Sequence, residues 1–401
     1  MDSSLQNKRI LIVGGGVAGS SLAIRLSNKG LRVTVIEKDK FPRHKLCGEF
    51  VSPECLTHFE ELGVLEEMVE TGGDKIRETR FFSESGKSVC VPSKWFSGGA
   101  RGAIGISRSE MDFRMLKKAR ETGAIVFEET RVTGIGVTNK RIEFITTKNS
   151  QGDTKKLEAD LIVDATGRAR VLGKLVERQT GSKRRKGKIK HIAFKTHLEN
   201  VKLEQGVCEI YFFRGGYGGL NYVENGVANH CFIVSSKVAR EFKGDAERIL
   251  REVIFENKRA FDALKNSTRK FDWLAVSIEK FGQQPSDDIE NLNSVGDASA
   301  FIDPFTGSGM LMALESSQIL AEAITRKRAK TAFDDASIKN DFENQSSTAI
   351  KPRLRACSFI HRLSFSPMLA NFVISIASLN PDWLQKIATL TRPIQNPKTI
   401  R

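Results

Sequence analysis

The run Gly14-Gly15-Gly16-Val17-Ala18-Gly19 lies between a short apolar stretch, Arg9–Val13, and a helical one, Val17–Asn28. This is a GxGxxG pattern in the strand-to-helix context that gives it a mechanism. Gly14 permits a tight turn, Gly16 lets a pyrophosphate approach the backbone, and Gly19 lets the helix lie close on the strand. The N–H groups of Val17 and Ala18, at the positive end of the helix, then face the phosphates. Gly30 stops the helix, and the next apolar strand, Leu31–Ile36, closes on Glu37, 18 residues beyond Gly19. A carboxylate there accepts ribose hydroxyls and repels a 2′-phosphate, so the site suits FAD or NAD and not NADP.

Composition narrows the partners. The 401 residues carry a formal charge of +15, from 63 Lys and Arg against 48 Asp and Glu. That excess favours phosphorylated cofactors, an acidic carrier protein or an anionic membrane surface. Nucleic acid is not expected, because no helix-turn-helix, zinc or aromatic-interleaved basic motif accompanies the charge. Six cysteines are scattered without CxxC or Cys/His spacing, which argues against a zinc site or a disulfide framework, so no metal is expected, and fits a reducing, cytoplasmic compartment. No stretch reaches the roughly 20 apolar residues of a spanning helix, so any membrane contact is peripheral.

Three further stretches separate FAD from NAD. They are Pro42-Arg43-His44-Lys45-Leu46-Cys47-Gly48-Glu49, Asp164-Ala165-Thr166-Gly167, and Gly296-Asp297-Ala298 with Asp303-Pro304-Phe305-Thr306-Gly307-Ser308-Gly309. With the glycine motif they resemble the geranylgeranyl reductase-like and aromatic hydroxylase-like FAD oxidoreductases, over roughly residues 8–330. The resemblance implies FAD, with NAD(P)H as a transient electron donor, since no second GxGxxG offers a separate nicotinamide domain. It also implies cofactor contacts at Lys45, Asp164, Gly167, Gly296, Asp297 and Pro304, and at Gly307, Ser308, Gly309 and Met310. Physically, Asp297 at a strand end can bond a ribityl hydroxyl. The N–H groups of Gly307–Met310, opening a helix, can stabilise charge on the reduced flavin ring. Arg108 sits where the family places a cofactor-contacting arginine; it either makes that contact or pairs with Asp112.

The predicted fold is α/β: a discontinuous Rossmann-like FAD-binding domain, an inserted mostly antiparallel substrate sheet and a helical tail. The expected boundaries place FAD-binding segments at residues 1–75, 107–175 and 286–330. Substrate-domain segments fall at 76–106 and 176–285, and the helical C-terminal region at 331–401. Helices are expected over Pro53–Glu70 and Ala239–Glu256, and a glycine-rich turn or pocket wall over Gly215–Tyr222.

Cys47 is the catalytic candidate. A thiol near the flavin could donate a proton or line the substrate cavity, and Arg43, His44 and Lys45 would lower its pKa; the alternative is a packing residue. Tyr217 either walls the substrate pocket or packs in a turn. The reductases' Tyr-x-Trp-x-Phe-Pro motif is eroded here, with Gly219, Asn221 and Tyr222 in place of Trp, Phe and Pro. A flavin halogenase would need a Trp-x-Trp-x-Ile-Pro segment, which is absent. The basic run Lys183–Lys190 is a solvated loop or a docking site for an acidic carrier or NAD(P)H. The expected function is reduction of an apolar small molecule, an alkene, by FAD-held electrons. Hydroxylation or epoxidation by a flavin monooxygenase is the alternative, and a non-catalytic nucleotide-binding scaffold a remote one.

Overall fold

The computed structural model describes residues 8–96, 102–181, 187–279, 281–284, 288–327, 334–378, 381–390 and 392. The first unit is the expected one: β1 (Arg9–Val13), α1 (Val17–Ser27) and β2 (Arg32–Ile36). The chain continues through α2 (Pro53–Glu61), β3 (Glu78–Phe82), β4 (Ser88–Pro92), α3 (Arg108–Glu121) and β5 (Ile125–Phe127). A hairpin sheet follows, β6 (Thr130–Thr138), β7 (Arg141–Asn149) and β8 (Thr154–Leu157), then β9 (Leu161–Asp164) and α4 (Val171–Gln179).

Five parallel strands form the nucleotide-binding sheet, whose order runs from Leu292–Ser294 through β9, β1 and β2 to β5. Parallel strands are covered on both faces, which is why β1 reads as an unbroken apolar run and not as an alternation. Ile10 and Ile12 point into the helical layer of α1, while Leu11 and Val13 point toward β7 and α4. The same burial explains why α1 has no polar face: nine of its eleven residues are buried.

The second sheet is built from β10 (His191–Glu199), β11 (Val207–Phe213), β12 (Gly216–Tyr222) and β13 (Ala228–Ser235), with β14 (Leu274–Ile278) pairing β10. Its order β10-β13-β12-β11-β3-β4 draws β3 and β4 in from more than a hundred residues earlier. All these pairings are antiparallel except β11 with β3. One face, with Tyr211, Phe213 and Phe232, packs under the helices of residues 236–264; the other presents Phe212, Tyr217 and Ile233. Three long helical elements close the chain: α5 (Gly309–Lys327), α6 (Asp335–Ser364) and α7 (Pro367–Ala377), before a last helix over Pro381–Leu390.

Three local expectations are corrected. The helix expected over Pro53–Glu70 breaks at Gly63, whose φ is +67°, and restarts at Leu65. The helix expected over Ala239–Glu256 is two, Ser236–Glu241 and Ala246–Glu252. Lys243 and Gly244 both adopt left-handed backbone between them, and Asp245 caps the restart by accepting from the Glu247 and Arg248 N–H groups. Of the glycine run, Gly215 (φ +71°) lies in the turn, while Gly216–Tyr222 is a central strand. A Cβ on Gly216 would lie 2.1 Å from the Ile233 carbonyl oxygen, so glycine there answers to crowding.

Among the described residues no helix is long and apolar enough to cross a membrane.

Candidate flavin and substrate site

The glycine motif divides its labour as its sequence implies. Gly14 has φ +107°, and a Cβ on Gly19 would stand 1.8 Å from the Gly14 carbonyl oxygen. Those two glycines serve the turn and the helix–strand contact. Gly16 differs: a Cβ there would meet only the Arg108 guanidinium, at 3.8 Å, so its backbone borders open space. Glu37 is fixed beside the turn, where its carboxylate accepts the Gly15 N–H at 2.7 Å and the Asp39 N–H at 2.9 Å.

A cavity of about 280 Å³ runs from this turn to the inner face of the inserted sheet. On its wall the structure brings together Gly16, Val17, Ala18, Lys45, Cys47, Arg108, Gly167, Gly296, Asp297, Pro304, Gly307, Gly309, Met310 and Tyr217. Gly14, Gly19, Glu37, Asp164 and Ser308 are not on it. Asp164 is consumed locally: its carboxylate takes N–H bonds from Thr166, Leu172 and Gly173 and the Thr166 hydroxyl, tying the end of β9 to the start of α4. Ser308 is fully buried behind the opening of α5.

On the wall, the side chains of Asp297 and Lys45 have neither a hydrogen-bond nor an ion-pair partner among the described residues. Burial raises the Asp297 carboxyl above the usual aspartate range, more than the Lys45 and Arg168 charges lower it. Burial and the neighbouring Arg108 lower the Lys45 ammonium to about 8. By surface area Lys45 is exposed and Asp297 half-buried, and both line the cavity. An unpartnered carboxylate and an unpartnered ammonium beside Gly167 and an open glycine backbone fit a group that carries both hydroxyls and phosphates. FAD is such a group, and Gly16, Lys45 and Asp297 are the residues that would hold it.

Arg108 makes the expected pair with Asp112 and also stands on the cavity wall. Its guanidinium forms a buried two-pronged pair with Asp112, at 2.8 Å on each side, and still borders the cavity. Burial opposes the Asp112 charge, but Arg108 and Arg43 outweigh it and keep that carboxyl below its ordinary pKa. Cys47 is half-buried, lines the cavity and lies against Arg108. Arg43 turns away from it toward Asp39 and Asp112, and the His44 ring packs on His197 and Phe271.

The polar partners of Glu49 beneath the Cys47 loop, Lys195 and His197, escaped sequence reasoning. Glu49, fully buried, pairs with Lys195 and accepts a hydrogen bond from His197 Nε2 at 2.6 Å and one from the Arg108 N–H at 2.8 Å. Burial alone would raise the Glu49 carboxyl; the His197 bond and the Lys195 charge hold it below the usual glutamate range. Asn229 Nδ2 donates to the Gly48 carbonyl at 2.8 Å, and Lys195 Nζ to the Lys45 carbonyl at 3.2 Å. The signal was present: Lys195 and His197 are two residues apart in one strand, hence on one face of it.

Beyond the loop the wall turns apolar, with Phe81, Ile210, Ile278, Phe301 and Phe305. Tyr217 stands among them as both pocket wall and packed residue. Its hydroxyl bonds the Asp303 carboxylate and its ring meets Phe305 edge-on at 5.1 Å. Gly219 also lines the cavity, so the eroded tryptophan position leaves room there. Of the basic run, residues 183–186 lie outside the described residues, while Lys188 and Lys190 are exposed. Among the described residues no cluster could hold a metal ion.

A family model described as an FAD binding domain matches residues 7–336. The chain belongs to that family. It is an FAD-dependent enzyme, an oxidoreductase by family, and its relatives divide over the reaction. Conditioned medium factor receptor 1 of Dictyostelium discoideum is 27% identical over 354 residues, 82% of this chain and 66% of that protein. A digeranylgeranylglycerophospholipid reductase of Methanosarcina mazei is 26% identical over 324 residues, covering 78% of this chain and 74% of the reductase. A solved flavin-dependent brominase superposes with a TM-score of 0.77 at 21% identity, covering 96% of this chain and 93% of its own, which shows a shared fold. The matched stretch thus spans about two thirds to three quarters of the two curated relatives' own length.

Proposed function

We propose that this enzyme uses reduced FAD, recharged by NAD(P)H as a transient donor, to reduce a carbon–carbon double bond in an apolar small molecule. The observation that carries the reading is the continuity of one cavity. Its polar end is Gly16, Lys45 and Asp297; its other end is Phe81, Ile210, Ile278 and Phe305; and Cys47 lies on the wall with them. Bound and reduced, the flavin supplies a hydride. Alkene reduction then needs a proton from a second group. A thiol at Cys47 would supply it from the cavity wall, its loop held by the clamp of Glu49, Lys195 and Asn229. The aromatic wall excludes water and orients an apolar substrate by shape, which suits a substrate with few polar handles.

The test is a single turnover of the FAD-loaded enzyme, reduced with NADPH without oxygen and then mixed with candidate prenyl alkenes. The expected product gains two hydrogens and forms without oxygen. Turnover that requires dioxygen, with label from labelled dioxygen in the product, would contradict reduction and assign the enzyme to the monooxygenases. A product that appears only with added bromide or chloride would assign it to the halogenases.

A further inference from the structure

We propose that α7 docks this protein on the surface of an anionic lipid bilayer. The helix is apolar on two opposite sides. Ala370 and Ile374 are buried with Tyr217, Ile233 and Phe301, backing the wall of the cavity. On the other side Met368 is 80% exposed, Phe372 63%, Leu369 44% and Ile376 38%. At 100° per residue these four positions fall within about 100° of arc, a continuous apolar stripe and not scattered exposures. Trp383, on the next helix, is 39% exposed, the residue type that settles at the boundary of lipid and water.

An apolar stripe by itself fits several partners; the charge around it chooses among them. Residues 351–401 hold eight Lys and Arg against a single acid, Asp382. Arg353 and Arg392 are paired internally with Glu315 and Glu54, while Arg355 and Lys386 are exposed. α7 itself carries no charged residue of either sign, so the charge comes from the helices beside it in sequence. An apolar stripe on α7, with exposed Lys351 and Arg355 on α6 and exposed Lys386 on the last helix, suits a helix that lies in the plane of an anionic bilayer. A second copy of this chain would bring the same positive charge against itself, which disfavours self-association through this face.

The docking rests on the apolar stripe and the exposed cations of the neighbouring helices, and not on the reaction. That the bilayer would also deliver an apolar substrate, through the wall that α7 backs, rests on the proposed reaction. The experiment therefore needs no turnover. The FAD-loaded protein is floated with vesicles of phosphatidylcholine alone and of phosphatidylcholine mixed with phosphatidylglycerol. Binding is expected to be about tenfold or more tighter to the mixed vesicles, and to weaken as salt is raised. The double variant Leu369→Ser/Phe372→Ser is expected to lose about tenfold or more of that affinity while keeping its flavin spectrum and its mass by light scattering. Three results would overturn the proposal. They are no binding to mixed vesicles, binding that ignores both salt and the double variant, or a wild-type oligomer that the double variant dissociates.

Discussion

At the scale of single residues, the two outer glycines and Gly16 make different demands. Gly19→Ala drives a methyl into the Gly14 carbonyl, so α1 must lift from the sheet. Forced overpacking of this kind costs about 1–3 kcal/mol, and chemical denaturation should show that loss even without cofactor. Gly16→Ala has room, so its fold stability should stay within about 0.5 kcal/mol of wild type. Its penalty should appear instead as weaker FAD binding, measured by titration of the apoprotein, because the methyl occupies the phosphate approach. Lys45 adds a pH signature. Its ammonium titrates near 8 before FAD binds, and phosphate oxygens arriving beside it would raise that value. Binding therefore takes up a proton, and FAD affinity should fall as pH rises above about 8. Lys45→Met should bind FAD more weakly and lose that fall; a variant with the wild-type pH profile would remove Lys45 from the cofactor contacts.

At the scale of elements, the loop carrying Cys47 is held by strands far away in sequence. Glu49→Gln removes the carboxylate and strands the buried Lys195 charge, a loss of about 3–5 kcal/mol expected in urea denaturation. Adding Lys195→Met should restore part of it, because the orphaned charge goes too. The pH dependence has a definite sign. The Glu49 pKa is lowered on folding, so its contribution is complete above its ordinary value of 4.5 and is lost as pH falls through the lower folded value. Wild type should lose stability in that acid window, and Glu49→Gln should show a flatter profile. Elements with local signals were legible in the sequence: β1 and β2 are short apolar runs, and α1 lies between the glycine turn and Gly30. The break at Lys243–Gly244 and the strand over Gly216–Tyr222 were not. Glycine is as compatible with crowding as with turning, and only the neighbouring strand, β13, decides between them.

At the scale of the whole molecule, the cofactor end of the site was readable because its pieces are motifs. Gly16, Gly167, Gly296–Asp297 and Gly307–Met310 carry backbone constraints that leave a mark in the chain. The substrate end left no such mark. Phe81, Ile210, Ile278 and Phe305 come from different strands and loops, and each reads as ordinary core until the sheet places them on one wall. The Glu49–Lys195–His197 cluster likewise exists only where the Cys47 loop crosses the inserted sheet. The account as a whole stands on one cavity that holds FAD at the glycine end and an apolar substrate at the other. Its most direct test is to titrate FAD into the purified chain by visible absorbance, with and without Asp297→Ala. The account predicts one flavin per wild-type chain, with the yellow two-banded spectrum of bound flavin, and markedly weaker binding by the variant at unchanged fold stability. A colourless chain that FAD cannot reconstitute, or a variant that binds as well as wild type, would contradict it.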